Sequence, residues 1–337
     1  MQSTNTDVLF STSAVTQANQ PPVIVIGLPR SGSSFLAHVT SHLKDWFIFD
    51  DLYLYREAKA IDAINTPLTS KQLDRLLFFL GWQIRARIKF GVFCVPKMDL
   101  TDVDLMNDAL KKTFNGKSIY WYELQEEWMT RLCINQGCMH WGYKAPQDFQ
   151  NIEILDKAYP GVKYIFLYRD PKKMLRSLKF VRDQDGNPNQ YHPIIYSIYW
   201  KKALSALNHL TNINKDRVLA VKYENLVANV DSQADIIAKY LNSSISKPIK
   251  TDQTNSSFSN QNKTDITPTE KKICELLTGE YLEKLGYSNK EGQFRFRDIF
   301  DLFKTSITFT SYQIKRITMK KSSRVSILLF LKNLIKS

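Results

Sequence analysis

Apolar runs, glycine turns and amphipathic stretches alternate along most of this chain. Val23-Ile24-Val25-Ile26 is a short continuous apolar run, which predicts a buried strand over 23–26. A Gly/Ser turn follows, then an amphipathic stretch that predicts a helix over 33–43. Trp46-Phe47-Ile48-Phe49 predicts a second strand, closed by Asp50-Asp51. Leu73, Leu76, Leu77 and Leu80 recur at the spacing of one helix face. Thr101-Asp102 is the expected cap of a helix over 105–110. The stretch 120–134 is a third helical pattern, rich in Trp and Tyr. No alternation of period two interrupts this region, so 51–140 is expected to form a helical insertion over the sheet edge.

The sheet pattern resumes at 141–146. A helix over 151–159 is expected to stop at Pro160-Gly161. Lys163–Tyr168 is almost wholly apolar, as in a parallel strand buried on both faces. Asp170 and Pro171 are placed to cap and open the next helix. A helix over 196–210, a strand over 218–223 and a helix over 226–241 complete the alternation. The expected fold is α/β: three α/β/α layers around a central, mostly parallel, P-loop-like sheet. Residues 21–290 form the expected domain. Residues 1–20 are polar and predicted to be a disordered arm, and 242–269 read as a loop or lid.

Composition narrows the partners. The chain has 337 residues, 43% of them hydrophobic, which is ample for one large core. Its formal net charge is +13, with a sequence pI near 9.4, so anionic ligands or surfaces are favoured. No nucleic-acid reader signature accompanies that charge, and nucleic acid is not expected as a partner. The four Cys residues (94, 133, 138 and 274) fit neither a zinc site nor a disulfide framework. His38 and His42 read as helix-packing residues rather than metal ligands. No signal peptide or anchor pattern opens the chain, so a cytoplasmic location is expected. The tail 291–337 differs from the rest: from Lys304 onward there are eight basic residues and no acidic one. It can either dock on the parent domain or contact the inner membrane surface as an interfacial helix.

The chemistry concentrates at Gly27-Leu28-Pro29-Arg30-Ser31-Gly32-Ser33-Ser34-Phe35. A strand entering a glycine turn and then a helix aims successive N–H groups and the helix N-terminus at one point, which suits a phosphate-like anion. Arg30 adds a charged fork, and Ser31, Ser33 and Ser34 add hydroxyls. Gly27 and Gly32 have the spacing of a nucleoside triphosphatase loop. Ser33-Ser34 stand where that loop carries Lys-Ser/Thr, so no Mg²⁺ ligand is evident. A second anion grip is Arg169, at a strand end, with Ser177 on the following helix.

The first loop resembles the 5′-phosphosulfate loop of the sulfotransferase family, whose donor is 3′-phosphoadenosine 5′-phosphosulfate (PAPS). The Arg169–Ser177 segment resembles that family's 3′-phosphate motif. Gly142-Tyr143-Lys144-Ala145-Pro146 looks like the Lys-x-Pro segment of tyrosylprotein-type and related sulfotransferases. Lys222-Tyr223-Glu224-Asn225-Leu226 and Leu285-Gly286-Tyr287 are similar to two further family segments. The resemblance implies that Arg30, Ser31, Gly32, Ser33, Ser34, Phe35, Arg169, Ser177 and Tyr223 hold the nucleotide. It adds Ser256 and Ser257 from the polar loop, with Lys263 beside them. It implies a metal-free transfer that leaves 3′,5′-ADP (PAP), with Arg30 on the phosphosulfate and Lys144 meeting the leaving oxygen. The base is expected among Asp51, Glu57 and Asp50, in that order. His140 is the nearest histidine. The acceptor stays open among small molecule, glycan, lipid and peptide. A P-loop kinase acting on a small molecule and a non-enzymatic polyanion or membrane binder are the alternatives.

Overall fold

A computed structural model describes residues 9–11, 21–90, 97–180, 191–249, 265–288 and 290–319. Five strands form one wholly parallel sheet in the order β2-β3-β1-β4-β5. They are β1 (Val23–Gly27), β2 (Trp46–Phe49), β3 (His140–Lys144), β4 (Lys163–Tyr168) and β5 (Val218–Lys222). β1 is central, with Val25 opposite Lys144 on one side and Ile165 on the other.

The strands β1, β2 and most of β4 are apolar because alternate side chains feed two separate cores. Ile24, Ile26, Phe47, Phe49, Tyr164 and Phe166 enter the larger core. Val23, Val25, Trp46, Ile48, Ile165 and Leu167 enter the smaller one on the other face. That division is the physical origin of the three layers.

Helices α1 (Ser33–Thr40) and α2 (Leu54–Ala60) follow β1 and β2. The β2–β3 crossover also holds α3 (Ser70–Phe90), α4 (Leu100–Thr113) and α5 (Trp121–Asn135). The expected insertion is thus this crossover, covering the larger-core face of the edge pair β2–β3. Leu73, Leu76, Leu77 and Leu80 are all buried. Phe49 meets Trp128 edge-on at 5.0 Å between ring centroids.

Beyond β3 come a 3-10 turn (Pro146–Gln150), α6 (Ile152–Ala158), α7 (Pro171–Lys179) and α8 (Pro193–Ile213). After β5 come α9 (Tyr223–Ala228), α10 (Val230–Tyr240), α11 (Pro268–Lys284) and α12 (Phe296–Met319). Asp170 caps α7 by accepting from Lys172 N–H at 2.8 Å, with Pro171 in the first turn, as the sequence predicts.

Three local expectations are corrected. Asp99, not Thr101, caps α4: it and Asp102 form a reciprocal capping box. The single helix expected over 226–241 is two, because the Asn229 side chain accepts from Ser232 N–H at 3.1 Å and starts a new helix. The arm 1–20 is anchored where it is described. Leu9 is fully buried in the larger core, and the buried Arg131 donates to the carbonyls of Leu9 and Ser11 at 3.1 and 2.6 Å.

Candidate active site at the carboxyl ends of the strands

Each strand delivers candidate residues at or just past its carboxyl end: Arg30 after β1, Asp50 and Asp51 after β2, Lys144 closing β3, Arg169 after β4 and Tyr223 after β5. In an open parallel sheet this rim is where ligands bind.

The β1–α1 turn is shaped by two conformational exceptions. Gly27 runs against β4, and a Cβ there would lie 2.2 Å from the Leu167 carbonyl oxygen. Gly32 has φ +96°, and a Cβ there would lie 2.3 Å from the Tyr223 ring. Between them Arg30 adopts φ +67°, a left-handed conformation that non-glycine residues rarely hold outside functional turns. The first helical bond of α1 runs from Leu36 N–H to Gly32 O, at 3.1 Å. The N–H groups of Ser33, Ser34 and Phe35 therefore sit at the open end of the helix. Ser31 Oγ is buried with no hydrogen-bond partner among the described residues. A buried orphan hydroxyl beside free helix-end amides fits an anion. The Phe35 ring packs into the smaller core, so only its backbone is available to a ligand.

The two predicted anion grips meet. Arg30 Nε donates to Ser177 Oγ at 3.3 Å, and an Arg169 terminal nitrogen donates to the Arg30 carbonyl at 3.2 Å. The Arg169 guanidinium lies 4.2 Å from the Tyr223 ring centroid, so the Tyr223 ring packs against both Gly32 and Arg169. Burial, and then the like charge of Arg169, lower the pKa of Arg30. An anion held between the two guanidinium groups would offset that repulsion.

Lys144 is the hub of the opposite side. It is buried, and its Nζ donates to Asp51 Oδ1 at 2.6 Å and to Ser34 Oγ at 3.2 Å. Asp50 Oδ1 is 2.9 Å away, at ion-pair distance but off the hydrogen-bond axis. The two carboxylates differ in access: Asp51 is 50% exposed, whereas Asp50 is buried. Burial pushes the Asp50 carboxyl up, against the pull of Lys144. Asp51 has φ +54°, and Tyr53 Oη donates to its Oδ1 at 3.2 Å.

Glu57 forms no hydrogen bond or ion pair with Asp50, Asp51 or Lys144 among the described residues. It lines a cleft of about 470 Å³ with Ile61, Asp62, Lys71, Gln72 and Arg75. His140 opens β3 at its amino end, against Trp46, four residues before Lys144 and so at the opposite end of the strand from the site. His38 and His42 pack edge to face at 4.5 Å, consistent with a helix-packing pair. Ser256, Ser257 and Lys263 lie outside the described residues.

Sequence reasoning missed Tyr53, and it named Arg87, with Arg85 and Lys89, only as a hint at a sugar or acidic acceptor and Glu224 only as part of a family segment, without their partners. Tyr53 orients Asp51, and its place two residues on was a signal that could have been used. Arg87 reaches the same region from α3, its guanidinium 4.1 Å from the Phe49 ring centroid and acting on Asp50. Glu224 accepts from Asp170 N–H at 3.2 Å and from Tyr287 Oη at 2.9 Å. Lys222 Nζ donates to the Leu285 carbonyl at 2.9 Å. The Tyr-Glu-Asn-Leu and Leu-Gly-Tyr segments are therefore one lock that holds the ends of β4 and β5.

No curated protein matches the sequence. The chain is similar to three solved structures with sulfotransferase titles. One is the sulfotransferase domain from the curacin biosynthetic pathway, at 16% identity and TM-score 0.47, covering 80% of this chain and 99% of that one. Another is the sulfotransferase domain from the Synechococcus PCC 7002 olefin synthase, at 18% identity and TM-score 0.48, covering 81% and 97%. The third is sulfotransferase STF9 from Mycobacterium avium, at 15% identity and TM-score 0.42, covering 81% and 79%. Residues 21–246, from the residues that lead into β1 to the end of the bridge that joins Ile245 to Leu43, match the profile described as "Sulfotransferase family". With more than half of the chain matched by that profile, this protein belongs to the sulfotransferase family.

Proposed function

We propose that the protein moves a sulfuryl group from PAPS to a hydroxyl or amine of an acceptor, releasing PAP. The observation that carries this reading is the junction of the two grips through the Arg30–Ser177 contact at 3.3 Å. It puts the Gly27–Phe35 turn, which would hold a 5′-phosphosulfate, beside the Arg169–Ser177 segment, which would hold a 3′-phosphate.

PAPS supplies an activated sulfuryl group on a phosphate leaving group. The chain's own residues hold, neutralise and deprotonate. Arg30, the amides of Ser33, Ser34 and Phe35, and the Ser31 hydroxyl suit the phosphosulfate end, while Arg169 and Ser177 suit the 3′-phosphate. Lys144 stands between Ser34 and Asp51, so it can turn its charge toward the leaving oxygen without moving its backbone. Asp51 is the preferred base because it is half exposed, beside Lys144 and oriented by Tyr53. Asp50 is too buried to meet an acceptor, and its pairing with Lys144 gives it a positioning role. Glu57, facing the neighbouring cleft, is closer to an acceptor-recognition position than to a base.

The test is transfer itself: incubate the protein with PAPS and a metabolite extract, then measure PAP release and the gain of a sulfate by mass spectrometry. Asp51→Asn should lower turnover roughly a hundredfold or more while PAP affinity changes little. Lys144→Ala should lower turnover more than affinity. Full activity in Asp51→Asn with loss in Glu57→Gln would move the base to Glu57. Loss in neither would end the carboxylate-base mechanism.

A further inference from the structure

α12 is docked by one face and bare on another. Its docked side is fixed by three contacts: Asp298 accepts from Thr269 N–H at 3.2 Å, Ser306 Oγ meets His192 Nε2 at 3.0 Å, and the Phe309 ring lies 5.4 Å from that of His192. These contacts keep the opposite side outward. There Phe296, Ile299, Phe300, Phe303, Ile307 and Ile314 recur at intervals of three, four and seven, one stripe of a helix. The three phenylalanines are 78, 69 and 67% exposed, and Phe294 just before the helix is 58% exposed. Large aromatics exposed in a row are unusual on a soluble surface and mark an interaction site.

The flank of the stripe is cationic. Arg297, Lys304 and Lys315 follow one another along one edge of it at helical spacing; Asp298 is on the docked side, and Asp301, beside Arg297 and Lys304, is the one acidic residue bordering that edge. The sequence past the helix adds Lys320, Lys321, Arg324, Lys332 and Lys336, with no acidic residue after Asp301. We propose that α12 seats the protein on an anionic lipid surface, the aromatic stripe entering the headgroup region and the basic flank meeting lipid charge. A second copy of the chain is the other apolar partner to consider. Pairing two copies through the stripe would bring two basic flanks together, whereas an anionic leaflet complements them. No helix among the described residues is long and apolar enough to cross a membrane, and this contact needs none, because the stripe lies along the surface.

The experiment is flotation of the full chain with phosphatidylcholine vesicles, with and without about a third phosphatidylserine, alongside light scattering of the free protein. The full chain should float with the anionic vesicles only, and less as salt rises. Phe300→Ser with Phe303→Ser should cut the bound fraction more than tenfold. Lys304→Gln and Lys315→Gln should each weaken binding roughly fivefold. All four positions are exposed, and PAP affinity equal to the unaltered chain's reports that the variants are folded. Equal flotation with neutral vesicles, or no effect of the lysine changes, would overturn the proposal. So would a dimer that Phe300→Ser with Phe303→Ser dissociates while vesicles of either kind are ignored.

Discussion

At the scale of single residues, the site is a set of charges that would repel or be stranded without their neighbours. Arg30 and Arg169 crowd each other, and Asp50 and Asp51 share Lys144. Behind them lies Asp148, four residues past Lys144, buried and bonded by Asn151 Nδ2 at 3.2 Å. Burial pushes its carboxyl from the usual 3.8 up to about 7. The folded state then keeps a proton that the unfolded chain loses above about pH 4. The contribution of Asp148 to stability is therefore fully present below pH 4 and falls as pH rises toward 7, by about 1.4 kcal/mol per pH unit at most. Asp148→Asn should flatten that slope, measured as urea unfolding at pH 5 and pH 8. An unchanged slope would mean that Asp148 stays ionised in the fold. Arg30, Asp51, Arg169 and Ser177 were legible in the sequence, because each sits at a fixed distance from a strand end. Asp148, Tyr53 and Arg87 were not, since their significance comes from partners on other elements.

At the scale of elements, the β1–α1 turn depends on the α9 residue beneath it. Gly32 has no room for a side chain, because the Tyr223 ring fills the space and is itself in contact with the Arg169 guanidinium. Gly32→Ala adds a methyl both at φ +96° and against that ring. It should cost about 1–3 kcal/mol of stability in a denaturant titration and weaken PAP binding at the same time. A variant that loses neither would mean that the turn relaxes freely and Tyr223 does not support it. Strands were the most legible elements: Trp46–Phe49 and Lys163–Tyr168 fall where their apolar runs end. Helix ends were less so, because caps such as Asp99 and Asn229 compete with neighbouring polar residues that look equally suitable.

At the scale of the whole molecule, the sheet gathers five strand ends into one rim, and distant segments hold that rim in place. Leu9 reaches the larger core alongside the buried pair of Arg131 and Glu127. Leu9→Ala should destabilise the chain by about 2–4 kcal/mol, seen as a lower melting temperature, even though the residue is remote from the rim. A melting temperature equal to that of the unaltered chain would mean that the arm is not anchored. The polar composition of 1–20 concealed this contact, because the short apolar run Val8-Leu9-Phe10 within a polar stretch carries no periodicity. The order of the strands was likewise not readable, since the sequence marks strands but not their neighbours. The central claim is that this rim holds a nucleotide with phosphates at both ends and needs no metal. Calorimetric titration of PAP in the presence of EDTA tests it most directly, with ATP and Mg²⁺ as the comparison. PAP should bind without metal, Arg30→Ala and Arg169→Ala should each weaken it about ten- to a hundredfold, and ATP should bind poorly. Tight Mg²⁺-dependent binding of ATP with no binding of PAP would contradict the account.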